Sequence, residues 1–150
     1  MDWTPRFRAI PMLFSVAFTA TLAAQSAQAA EAPWIGYDLS GKPCNGVKAS
    51  FGPYDYSKAY LHEHELFLVE SAHFNNKVET LTSGAKQKGN LLGDIHYTLK
   101  AWPNHHRALN TVIKYRILKG PYKNLGIEQP ECYFQRAVNF SPKDDVSHML

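Results

Sequence analysis

Two segments in the second half of the chain combine a helical apolar period with a proline that ends the helix. The first has its apolar residues at positions i, i+4 and i+7 and stops at Pro103: Ile95, Leu99 and Trp102. The second opens at Pro130, because the first turn of a helix tolerates proline, and stops before Pro142. Its apolar residues are Phe134, Ala137 and Val138. This spacing restricts residues 91–150 to a mainly α fold.

A further helix is predicted between these two segments. Asn104 can cap its start, and Gly120-Pro121 can end it. Its apolar stripe consists of Leu109, Val112, Ile113, the stem of Arg116, and Ile117. A loop from Gly120 to Gln129 then leads to the helix that opens at Pro130.

The two proline-terminated helices share one pattern when they are overlaid. Ile95-x-x-Thr98-Leu99-x-x-x-Pro103 and Phe134-x-x-Ala137-Val138-x-x-x-Pro142 both read large, small, large and then proline. This pattern resembles the end of the second helix of a tetratricopeptide repeat (TPR). Leu109, Val112 and Arg116 fit the first helix of the next repeat. Two features depart from the family: Ile113 replaces a small residue, and the prolines are 39 rather than about 34 positions apart.

The resemblance implies TPR-like antiparallel helix pairs, a short α-solenoid, over residues 91–150. The motifs at 51–56 (FGPYDY), 93–97 (GDIHY) and 103–109 (PNHHRAL) are also similar to exported bacterial TPR proteins, a likeness that names no activity. Asp144-Asp145 is a good start for another helix, and the chain stops one turn later. We therefore expect a truncated longer array, the alternative being another chain that covers the exposed end.

Residues 30–90 are predicted to form an aromatic, turn-rich N-terminal segment. Up to about Tyr60, turn-forming residues alternate with aromatic ones, which is typical of an irregular but ordered segment whose rings pack on another part of the protein. Residues 61–81 fit either a short helix or two short strands, and residues 83–93 are predicted to be a loop.

The first 29 residues have the features of a cleaved signal peptide. Arg6 and Arg8 precede an apolar stretch from Ala9 to Ala24, and Ala27-Gln28-Ala29 matches the site that signal peptidase accepts. The apolar stretch is shorter than the roughly 20 residues of a membrane-spanning helix. We expect cleavage after Ala29 or Ala30, with a soluble product in the periplasm or outside the cell and no stable membrane insertion.

Composition and cysteine content limit the possible functions. The whole chain has a net charge of +3, and removal of the signal leaves +2 on dispersed residues, which gives no support to nucleic-acid binding. Cys44 and Cys132 are the two cysteines, and an oxidising compartment favours a disulfide between them. Two buried free thiols are the alternative.

One histidine group is a candidate metal site. His62 and His64 would point to the same side of a strand, and His73 or a carboxylate could supply a third ligand. On a helix the two imidazoles would diverge, and a solvated charged turn explains them as well. No standard metalloenzyme, nucleophile or phosphate-loop motif is present in the sequence, so no cofactor is predicted.

A binding strip is predicted on the helix after Pro103. Arg107, Asn110 and Lys114 lie at i, i+3 and i+7, opposite the apolar stripe, and could hold a peptide carboxylate or acidic side chains. A plain solvated face is the alternative. The leading hypothesis is an exported, non-enzymatic protein that binds a protein or peptide. The others are a small metal-binding protein using His62, His64 and His73, and a truncated product without independent function.

Overall fold

The computed structural model describes residue 1 and the ranges 31–86, 89–120 and 127–150. Residues 2–29 of the predicted signal peptide therefore lie outside the described residues, as does part of the predicted loop at 120–129. Within these ranges the protein is mainly helical, and its only β pairing is an isolated bridge between Tyr37 and Pro43. None of the helices found there is long and apolar enough to cross a membrane.

The helical part of the described chain begins at Tyr56, and from the helix at Leu91–Ala101 onward each helix packs on the next one in the chain. A 3₁₀ helix at Tyr56–Leu61 precedes the α-helices. These are α1 (Glu63–His73), α2 (Asn76–Glu79), α3 (Leu91–Ala101), α4 (His106–Lys119), α5 (Pro130–Phe140) and α6 (Asp145–Met149). α1 packs on α3, each helix from α3 to α5 packs on its successor, and α6 also contacts α4.

The stretch that fitted either a helix or two strands is helical. Glu63 and Glu65 lie in the first turn of α1, where acidic side chains interact favourably with the helix dipole. The side chain of Asn75 accepts hydrogen bonds from the backbone N–H groups of Lys77 and Val78 and so caps α2. The first irregular part of the N-terminal segment ends at Asp55, because the 3₁₀ helix begins at Tyr56.

The two helix–proline–helix junctions have the same backbone conformation. The residues that end α3 and α5, Trp102 and Ser141, have φ/ψ values of −128°/82° and −128°/77°. The residues that precede α4 and α6, His105 and Asp144, each donate an N–H to the carbonyl of that helix-ending residue at 3.0 Å. The equivalent residues are 39 positions apart, so the repeat found in the sequence is also a repeat of local structure.

Two details of the predicted helices are corrected by the structure. His105, not Asn104, caps α4, because its side chain accepts the N–H of Ala108 while Asn104 points into a buried polar cluster. Ile117 belongs to the predicted apolar stripe but is 76% exposed. The buried face of α4 is instead rotated toward Ala108, Leu109, Thr111 and Val112.

The aromatic rings of the N-terminal segment pack on another part of the protein, as predicted, and the structure shows that this part is the end of α3. Trp102 is fully buried and is surrounded by the partly buried rings of Phe51, Tyr54 and Tyr56. The N–H of Tyr54 donates to the Ala101 carbonyl at 2.9 Å. Gly52 has φ of +83°, and a Cβ at that position would lie 2.4 Å from the same carbonyl oxygen, so the close approach requires glycine.

A disulfide joins the N-terminal segment to α5 and confirms the pairing favoured by the sequence. Cys44 and Cys132 are bonded, with a Cα–Cα distance of 5.5 Å and a separation of 88 residues along the chain. Beside it, the Gln135 amide donates to the Tyr37 carbonyl at 2.8 Å. The segment from Trp34 to Cys44 is therefore fixed to α5 by both covalent and polar contacts.

We predict that the disulfide is a major source of stability. Replacing both cysteines with serine removes the restraint on a loop of 88 residues in the unfolded chain, which the chain-entropy relation puts at about 4 kcal/mol. Urea unfolding of the wild-type and the Cys44→Ser/Cys132→Ser protein measures the difference. A dithiol reductant should destabilise only the wild-type protein, and equal stability of the two oxidised samples would contradict the prediction.

We also predict that Asn104→Ala is strongly destabilising. The Asn104 side chain is fully buried and accepts the N–H of Tyr56 at 2.9 Å, so its loss leaves a backbone donor without its partner. An unpaired buried group costs about 1–3 kcal/mol, and the two carboxylates that Asn104 contacts add to this. Asn139→Ala, an exposed position on α5, is the matched control and should change the unfolding free energy by less than about 0.5 kcal/mol.

Candidate functional site

The start of α4 carries a group of interacting polar side chains and contains the predicted binding residue Arg107. Its Nε donates to Glu79 Oε1 at 2.9 Å, and its Nη2 donates to the other oxygen of the same carboxylate. Its Nη1 donates to Glu70 Oε1 at 3.1 Å. The guanidinium is therefore held by two carboxylates of its own chain, which reduces its attraction for an external anion.

The other two residues of the predicted strip have fewer internal contacts. Asn110 is half-buried, and Lys114 is exposed one turn further along α4. The hydrogen bond from Arg107 is the main reason that the pKa of Glu79 is lowered, with Lys114 contributing more weakly through its charge. The three residues thus lie on one face of α4, but the carboxylates of Glu79 and Glu70 neutralise the positive charge of Arg107.

His105 lies under this strip and is fully buried. Its Nδ1 accepts the Ala108 N–H at 3.2 Å, so this nitrogen carries no proton. Its Nε2 must then donate to Glu70 Oε1, 3.0 Å away. Protonation of Nδ1 would remove the cap of α4. This agrees with burial lowering the pKa of His105, and with the His105 hydrogen bond lowering the pKa of Glu70.

Asn104 connects this region to a second group of buried polar side chains. Its Nδ2 donates to both Asp55 Oδ1 and Asp144 Oδ2 at 2.8 Å. His106 Nε2 and the Ser147 hydroxyl contact the Asp144 carboxylate, each at 2.8 Å from Oδ2. Burial opposes ionisation of Asp144, but these hydrogen bonds outweigh it and hold its pKa below the usual value. One amide thus joins the N-terminal segment, α4 and α6.

The geometry of these two groups is that of a structural polar core. His105 and Asn104 have no exposed surface, and each of their side-chain polar atoms named above is already bonded to another part of the chain. The sequence prediction placed Arg107 in a binding strip and gave Asn104 and Asp144 only a place at helix starts. It did not include His105 or Asp55 in a site. One sequence feature could have indicated this polar core. Residues 103–109 (PNHHRAL) place several polar side chains directly after the proline that ends a helix, where apolar residues are expected.

The structure does not bring the three predicted metal-binding histidines together. His62 precedes α1, His64 is exposed on its first turn, and His73 is its last residue. A helix rises about 1.5 Å per residue, so His62 and His73 are roughly 16 Å apart. His73 Nδ1 instead pairs with Asp94 Oδ1 at 2.9 Å, and its ring stacks on Tyr97. The strand geometry on which this candidate site depended is not formed.

One set of metal-type ligands is close together in the described part of the chain. The side-chain ligand atoms of Cys44, Glu128 and Cys132 lie within 4.8 Å of one another. Because the two sulfurs are bonded to each other, neither is a free thiolate in this structure.

Comparison with known proteins gives no identification. No protein-family model, curated protein or solved structure matches this chain.

We predict that the burial of His105 and the partial burial of His96 make stability fall on mild acidification. The folded-state pKa of His105 is lowered by burial, and burial lowers that of His96 to about 4. Below about pH 6.5 the unfolded chain therefore takes up protons that the folded chain does not, so the free energy of unfolding falls from about pH 6.5 toward pH 4.

Substitution of His105 tests this prediction. His105→Asn keeps a capping oxygen but loses the charge change, so it should lower stability at pH 7 and make the decline toward pH 5 shallower. Urea unfolding across this range measures both effects. His148→Asn, on the exposed face of α6, should retain the wild-type decline, and an unchanged slope in His105→Asn would contradict the assignment.

Proposed function

We propose that this protein is an exported, non-enzymatic TPR-like protein that binds a protein or peptide through its helical surface. The observation that carries the proposal is the repeated junction, since Trp102/His105 and Ser141/Asp144 have matching dihedral angles and matching hydrogen bonds. Repeats of this kind stack side by side and present an extended surface to a partner. The N-terminal sequence supports a location in the periplasm or outside the cell.

The face of α4 that carries Asn110 and Lys114 is the best-supported contact surface. In TPR-like pairs the first helix lines the concave side, and in this proposal α4 is assigned to that helix. Lys114 is exposed, and Asn110 offers an amide one turn away. Such side chains suit a peptide carboxylate or an acidic side chain. Arg107 lies on the same face but is engaged by Glu79 and Glu70, so a partner would have to compete with these carboxylates.

The competition at Arg107 makes the proposal testable. Peptides recovered with the mature chain as bait should be acidic, and Lys114→Glu should weaken their binding by about tenfold or more, measured by calorimetry. Glu79→Gln should strengthen binding, because it releases one side of the Arg107 guanidinium. Lys143→Glu, an exposed lysine at the α5–α6 junction, is the matched control and should bind like the wild type.

Two results would overturn the proposed surface. If Lys114→Glu and Lys143→Glu weaken binding equally, the effect is one of net charge rather than of the α4 face. If neither the wild-type chain nor the Glu79→Gln variant recovers a peptide when used as bait, the strip is an ordinary solvated face.

A further inference from the structure

A cavity is lined by the N-terminal segment and by Arg136 of α5, and it shares no residue with the α4 strip. Its volume is about 310 Å³, near the lower end of the range typical of small-molecule sites, ~300–1,000 Å³. Most of its lining is apolar, including Ala32, Pro33, Trp34, Ala49 and Pro53. An apolar cavity with a few polar groups is the usual form of a small-ligand site.

The main charged group of this cavity is Arg136, which is 2% exposed. Its Nε donates to the Ala32 carbonyl at 2.8 Å. Nη1 donates to Leu99 at 2.6 Å and Nη2 to Lys100 at 3.2 Å. All three acceptors are neutral carbonyls, and no carboxylate pairs with Arg136 among the residues that the structure describes. Burial lowers its pKa to about 10, which is consistent with a cation lacking a counter-charge.

The remaining donors of Arg136 match a carboxylate. A guanidinium has five N–H groups, and three are used by the carbonyls. Within the described ranges, one N–H on each terminal nitrogen is left without an acceptor. An N–H of a cation that is left without an acceptor is a donor that a carboxylate oxygen can accept from.

The other charges of the cavity cancel. Lys48 and Glu31 are both largely exposed, and their charged atoms are 3.9 Å apart. The lining therefore has one uncompensated positive charge, which favours a ligand with a single negative charge.

Trp34 fixes the position of this charge. The Arg136 guanidinium carbon lies 4.8 Å from the centre of the Trp34 ring, a cation–π contact. The indole N–H points to the Val47 carbonyl, and a Cβ on Gly46 would lie 2.0 Å from the ring. The ring is therefore held between the loop at 46–47 and the arginine, so both side chains are positioned before any ligand arrives.

We propose that this cavity binds a small organic monoanion, a carboxylate on a flat apolar body. The carboxylate accepts a remaining N–H of Arg136, and the body contacts the apolar lining beside Trp34. This inference is independent of peptide binding at α4. The alternative is that Arg136 only satisfies carbonyls at the end of α3, a role that Arg side chains commonly have at helix C-termini.

Benzoate is the probe for this site, observed by titration of the ¹⁵N-labelled full chain. The indole N–H resonance of Trp34, assigned by its loss in Trp34→Phe, should shift and saturate, whereas that of Trp102 should not move. Benzamide, which has the same shape without the charge, and benzylamine, which carries the opposite charge, should both fail to give a saturable shift. Arg136→Gln should weaken benzoate binding by roughly tenfold or more.

A second variant separates binding from folding, because Arg136→Gln also removes hydrogen bonds to α3. Ala49→Phe fills the cavity without altering Arg136 and should abolish benzoate binding. Leu39→Phe, on an exposed residue of the same segment outside the lining, is the matched control and should bind like the wild type. The proposal is overturned if benzoate gives no saturable shift, if benzamide shifts Trp34 equally, or if Ala49→Phe binds benzoate as the wild type does.

Discussion

The arrangement of helices depends on the side-chain amide of Asn104. Its nitrogen donates to Asp55 and Asp144, and its oxygen accepts the backbone N–H of Tyr56. These groups come from the N-terminal segment and from the turn before α6, so one buried side chain fixes both relative to α4. Unpaired buried polar groups are costly, and this cost makes the arrangement specific: shifting any of the three elements would leave a carboxylate or an N–H without a partner.

The same junction determines the electrostatics of the α4 surface. His105 is neutral because its Nδ1 caps the helix, and it donates its remaining proton to Glu70. Glu70 and Glu79 then hold the Arg107 guanidinium. Arg107 therefore forms ion pairs within the chain, which the sequence does not show. Among the described residues, the uncompensated positive charge of this face lies at Lys114. A partner carboxylate that binds Arg107 must displace Glu79 or Glu70. Because one ion pair then replaces another, we expect the gain in affinity to be modest.

The N-terminal segment is an integral part of this fold. Its rings surround Trp102, its Cys44 is bonded to α5, and its Ala32 carbonyl accepts from Arg136. Together these contacts complete both a second apolar core and the cavity that Arg136 lines. Two arginines consequently have opposite environments. Arg107 is exposed and paired with carboxylates, whereas Arg136 is buried and, among the residues that the structure describes, is bonded only to carbonyls.

The sequence by itself determined the helices that contain a clear apolar period, the proline-ended junctions at Pro103 and Pro142, and the favoured pairing of Cys44 with Cys132. These follow from local rules of spacing, turn formation and redox chemistry. Only the tertiary structure decided that His105 caps α4, that Ile117 faces outward, and that His62 and His73 lie at opposite ends of α1. It also brought Asp55, Asn104 and Asp144 together. The polar cluster depends on hydrogen bonds between residues 49 and 40 positions apart in the chain, and burial of a polar group is favourable only where such distant partners meet it.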